Sequence, residues 1–183
     1  MYIKKIPQTE ENEWFQHGAC EYLVNALYEE FCYKTKALVQ IDNLTETYTN
    51  KELLSMSLSE YGDSEACGED TVVMIHAFAQ ATINGKNYYI DSTGITNNIE
   101  DVLQKWDVSK TDFDRDDYML IDFDNPADIR ERFRSKYYDF LGDDDYDEFI
   151  DNAKTASENF VKEHKKDLDV KLQLKKKRER DER

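Results

Sequence analysis

Cys20, His76 and Asp91 are the residues of this sequence whose types and spacing could do chemistry together. A thiolate attacks a carbonyl carbon, an imidazole takes the proton and returns it, and a carboxylate holds the imidazole's tautomer and orientation. Cys20 falls in the first turn of an expected helix. Unpaired backbone N–H groups and the positive end of the helix dipole favour a thiolate there, so its pKa is expected to fall. Each residue also has a plainer role open to it. Cys20 would serve as a small buried hydrophobe, His76 as a sheet histidine, and Asp91 as a cap for the loop through Ser92 and Thr93.

Two elements must position these side chains. The first is a helix from about Gly18 to Phe31, in which Cys20, Leu23, Val24, Leu27 and Phe31 form one apolar stripe while Glu21, Asn25 and Glu29 lie away from it. The second is a β-hairpin over residues 72–91, nearly all apolar or small on its first strand. Asn84-Gly85 marks the turn, because both central residues of a tight hairpin loop need positive φ. With those two residues as the loop, Ile83 faces Lys86 and His76 falls opposite Thr93. Asp91 is then the diagonal neighbour of His76 on the same face.

A cysteine opening a helix, followed by a histidine and an aspartate on a later hairpin, resembles a group of small phage and bacterial proteins related to the papain-like and transglutaminase-like superfamily. The resemblance rests on Gly18 and Cys20 at the helix start, His76 opening a strand, then Gly85, Lys86, Tyr88, Tyr89, Asp91 and Gly94, and Trp106 closing a short helix; it spans about half of the chain. It implies an α+β fold with the helix on a small antiparallel sheet, and a Cys20–His76–Asp91 triad acting on an amide bond of a protein or peptide substrate. The oxyanion hole would take the Cys20 N–H and an upstream side chain. That side chain is Gln16 or, because the helper glutamine of papain-like enzymes lies further before the cysteine, His17.

The rest of the chain predicts a strand at Ala37–Ile41, a helical stretch near Asn50–Ser57, and a polar loop in which Glu65, Glu69 and Asp70 would oppose a thiolate at Cys67. Asn97 and Glu100 look like a capping box for a helix from Ile99 to Trp106. Met119–Phe123 reads as a strand, and Asn125-Pro126 as the start of a helix from about Ala127 to Phe140 that Gly142 stops. One long helix is expected from Asp143 to about Lys177, with Phe149, Ala153, Ala156, Phe160, His164, Leu168 and Leu172 as its stripe and a frayed, charged tail beyond. This divides the chain into a papain-like α+β domain, residues 1–142, and a C-terminal helical arm, residues 143–183.

Composition narrows the partners. Acids outnumber bases by 40 to 24, for a formal net charge of −16, and the excess is densest between residues 100 and 151. Direct nucleic-acid binding is therefore not expected. A second functional class fits the acidity: a non-catalytic module whose surface imitates phosphate and occupies a basic protein, as a phage-encoded inhibitor would. The three cysteines lack CxxC spacing, which suits free thiols in a reducing compartment, and neither a metal nor a cofactor is expected. With no secretory h-region and no apolar run of about 18 residues, the expectation is a cytoplasmic protein.

Overall fold

The computed structural model describes residues 2–16, 18–42, 71–108, 118–126 and 143–182. The expected helical stretch near Asn50–Ser57, the helix from Ala127 to Phe140, His17 and Cys67 lie outside these residues.

The architecture is α+β, with one six-stranded sheet whose pairings are all antiparallel. In chain order the elements are β1 (Tyr2–Lys5), the short α1 (Glu10–Glu13) running into a 3-10 turn, α2 (Cys20–Phe31), β2 (Lys34–Asp42), β3 (Thr71–Ile83), β4 (Lys86–Asp91) and β5 (Gly94–Thr96). After these come α3 (Glu100–Leu103) with a 3-10 turn at Gln104–Trp106, β6 (Tyr118–Phe123), α4 (Asp143–Leu168) and α5 (Val170–Asp181). The strands lie side by side in the order β1-β5-β4-β3-β2-β6.

The β3–β4 hairpin forms in the expected register, with Ile83 facing Lys86 and Ala79 facing Ile90. Asn84 and Gly85 both take positive φ, 52° and 74°, as a tight primed turn requires. Beyond Ala79↔Ile90 the ladder ends, and β4 leaves β3 just where Asp91 and His76 sit. On its other edge β3 pairs with β2, and a bulge interrupts that ladder next to His76: Leu38 pairs with His76, but Val39 pairs with Met74.

The sheet is covered on both faces, which explains the continuous apolar run of β3. On one face Ala79, Ala81, Tyr88 and Ile90 meet Leu23 and Leu27 of α2 and Phe160 and Leu168 of α4. On the other, Leu38 and Phe78 meet Val102 and Leu103 of α3 and Val108, with Trp106 packed against them. Helix α4 thus belongs to the same core as α2. Aromatic contacts lock the two ends of the chain together, with Trp14 edge-on to Phe149 at 5.4 Å and Phe15 against Phe160 at 5.2 Å.

Several local expectations change. The C-terminal helix is not continuous: it breaks at Asp169, whose side chain caps α5 by accepting from the Leu172 N–H. Tyr33 fills the break, its hydroxyl donating to the Leu168 carbonyl and accepting from the Val170 N–H. Beyond the break, α5 carries helix through most of the charged tail, to Asp181. At α3 the first free N–H, that of Glu100, is taken by Asn98 rather than Asn97, at 3.3 Å. At the other end of α2 stands Cys32. It is exposed and ends α2 in the left-handed region, φ 55°, its N–H returning to the Tyr28 carbonyl.

Gly94 closes the frame by letting β1 approach β5. Its φ is 127°, and a Cβ there would stand 2.1 Å from the backbone oxygen of Lys4. Gly94→Ala is therefore expected to cost about 3 kcal/mol or more through combined strain and clash. Urea unfolding measures it; a loss below about 1 kcal/mol would show that β1 is not held at that distance.

Candidate active site

The structure places His76, Asp91 and Gln16 around the point where β4 parts from β3, with Cys20 against the neighbouring backbone of β3. Cys20 is the first residue of α2, and its Sγ accepts a hydrogen bond from the Ala77 N–H at 3.4 Å. Ala77 follows His76 on β3. His76 Nε2 lies 3.9 Å from Asp91 Oδ2 at the end of β4, and Gln16 Nε2 reaches Ser92 Oγ, next to Asp91, at 3.4 Å. Gln16 also donates to Gln8 Oε1 at 2.5 Å, and Gln8 donates to the Ser92 carbonyl. The N-terminal segment is thereby tied across the hairpin's exit.

The sulfur and the imidazole approach β3 from different sides. His76 stacks on Phe78 and lies tilted against Trp106, with ring centroids 6.2 and 5.0 Å apart, which puts it on the face covered by α3. Cys20 comes from the face covered by α2. Its hydrogen bonds go to the Ala77 amide and, more distantly at 3.9 Å, to the Glu21 carboxylate, not to the imidazole. All three side chains are enclosed: Cys20 is 4% exposed, His76 1% and Asp91 2%.

This enclosure overturns the expected direction of the Cys20 pKa. Burial pushes the thiol up to about 12, and the neighbouring Glu21 carboxylate pushes in the same direction. The amide N–H groups of Ala77, Cys20 and Glu21 pull it down, so the helix-start effect is present but outweighed. Glu21 itself is 7% exposed. It was expected to lie away from the apolar stripe, but the first two turns of α2 are buried on nearly every side.

Asp91 does more than face the histidine. Its Oδ1 accepts from the Thr93 N–H at 2.7 Å, so the turn-capping role is realised alongside the pairing. Its Oδ2 receives Lys105 Nζ at 2.5 Å, and the same ammonium contacts Thr93 Oγ1 and lies 5.7 Å from the centre of the Tyr2 ring. Lys105 was missed in the sequence, and no spacing rule would have found it: it reaches the site only because α3 folds back over the hairpin.

Among the described residues no cluster of three or more His, Cys, Asp or Glu side chains is arranged to hold a metal, and no helix is long and apolar enough to cross a membrane. No protein-family model, curated protein or solved structure matches the chain.

The raised thiol pKa has a measurable consequence. Its contribution to stability is complete below the thiol's ordinary pKa of 9.0 and is lost as pH rises toward about 12, because the folded state then holds a proton that the unfolded chain releases. In the native protein at pH 7–8, iodoacetamide should label exposed Cys32 well before Cys20. Cys20 labelling should climb as pH rises through 9 and above, and Glu21→Gln should move that climb to lower pH. Peptide mass spectrometry follows both sites, and a Cys20 that labels faster than Cys32 at neutral pH contradicts this account.

Proposed function

We propose that the chain is a papain-like thiol hydrolase or acyltransferase acting on an amide bond of a protein or peptide. The observation that carries this reading is the placement of Cys20 Sγ on the amide of Ala77, the residue after His76, with the His76–Asp91 pair on the other side of the same strand and Gln16 bonded beside Asp91. In this mechanism substrate binding must first move the Cys20 thiol off the Ala77 amide and round to the His76 side of β3, where its proton passes to His76 as Sγ bonds to the substrate carbonyl carbon. The N–H groups at the start of α2 face the oxyanion, aided by Gln16 once it is released from Gln8. His76 returns the proton to the leaving amine as the C–N bond breaks, and the thioester passes to water or to a second amine. Asp91 holds the imidazole.

A thiol with a pKa near 12 is a poor nucleophile at rest, so substrate must uncover it and the proton must move during the attack rather than before it. A panel of peptidyl vinyl sulfones and acyl thioesters, read by intact mass, tests this. The expected adduct forms on Cys20, and His76→Ala slows it by about 100-fold or more. Adducts confined to Cys32, or a His76→Ala rate equal to that of the unsubstituted protein, would exclude the enzyme.

The enclosure of Cys20 also favours a second reading, in which the same frame is a non-catalytic module and the charge of −16 engages a basic protein, as a phage-encoded inhibitor would. Capture of one basic partner from the natural host at low salt, lost at high salt and unchanged by Cys20→Ala, is the outcome that supports it. Absence of capture even at low salt leaves the acidity as a source of solubility.

A further inference from the structure

We propose that Lys105 is a positioning residue that holds the charge of Asp91 and so keeps His76 an uncharged base; this rests on reading Cys20, His76 and Asp91 as a catalytic set. The geometry lies in one carboxylate oxygen. Asp91 Oδ2 faces Lys105 Nζ at 2.5 Å and His76 Nε2 at 3.9 Å. Lys105 is the closer partner, so its ammonium takes the role of counter-ion that an imidazolium would otherwise fill.

The turn that carries Lys105 touches both members of the pair. Lys105 reaches Asp91, and the next residue, Trp106, lies against the His76 ring at 5.0 Å. A single 3-10 turn, Gln104–Trp106, therefore sets the electrostatics of the carboxylate and the orientation of the imidazole together. The ammonium is held in place by Thr93 Oγ1 and by the face of the Tyr2 ring. Tyr2 in turn donates to the Asp101 carbonyl of α3, which brings β1 into the same clamp.

Titratable and charged groups surround His76 from each packed element: Asp91 at the end of β4, Lys105 after α3 with Tyr2 of β1 and Asp101 of α3 beside it, and Cys20 and Glu21 at the start of α2 across β3. Of these, Lys105 is the cation closest to Asp91 Oδ2. Removing it leaves His76 as the group that can supply a positive charge to Asp91 Oδ2, with Oδ1 still on the Thr93 N–H, and stabilises the imidazolium. The acid limb of any reaction that needs neutral His76 then moves to higher pH.

The experiment is proton NMR titration of the His76 ring, assigned by the signal lost in His76→Gln. In Lys105→Met and Lys105→Gln the His76 midpoint should rise by about one pH unit or more, while Lys105→Arg keeps it near that of the unsubstituted protein. An unchanged midpoint in a folded Lys105→Met or Lys105→Gln protein overturns the proposal. If neither variant folds, the unsubstituted protein decides: the Lys105 side-chain signals should shift at the His76 midpoint, and a Lys105 signal flat through that pH overturns it. Vinyl sulfone addition at Cys20 is followed in parallel. A His76 shift with an inert Cys20 supports the charge coupling and counts against catalysis, whereas a reactive Cys20 with an unmoved His76 removes Lys105 and leaves the enzyme.

Discussion

The carboxylate of Asp91 is the interaction on which the rest of the site depends. Its side chain is 2% exposed, and an unpaired charge so deeply buried would cost several kcal/mol. Three elements converge to satisfy it: the Thr93 amide in the turn to β5, Lys105 from the turn after α3, and His76 of β3. Because these partners come from different parts of the chain, meeting the demands of one charge also fixes how α3 lies on the hairpin and where β5 begins. Gly94 then directs β5 toward β1, and the N-terminal strand closes over Lys105 through Tyr2.

The second determinant is the central strand, buried on both faces. Small side chains at Ala77, Ala79 and Ala81 allow α2 to lie close to β3, close enough for a sulfur at the helix start to hydrogen-bond a strand amide. The same closeness removes water from Cys20. The feature that brings the thiol to the strand therefore also keeps it protonated, and the dipole of a twelve-residue helix does not make up the difference.

Much of this frame was legible in the sequence. Asn84-Gly85 set the hairpin register, and with it the closeness of His76 and Asp91, because a two-residue turn leaves only one pairing. The three- and four-residue spacing of Leu23, Val24 and Leu27 gave the buried side of α2. What could not be read were features set by distant chain. Strands β1 and β5 are four and three residues long, too short for periodicity to register. Burial of Glu21 follows from wrapping by other elements, and Lys105 has no local mark at all. The break between α4 and α5 did carry a sign, since aspartate is a favoured N-cap, but the apolar stripe continues across it and hid the interruption.

The docking of α4 on α2 also bears on the order in which the fold is assembled. The hydroxyl of Tyr33, just after α2, bonds to the carbonyl of Leu168, a separation of 135 residues, and Phe15 waits for Phe160 in the same way. At ribosomal speeds of about 5–20 residues per second, the apolar side of α2 stays bare for on the order of ten seconds after its own synthesis. Through that interval the nascent chain presents Tyr22, Leu23 and Leu27 without their final cover. The core can close only after translation has passed Leu168, which makes this a chain that folds late and relies on its dense surface charge, or on a chaperone, to stay apart from its neighbours in the meantime.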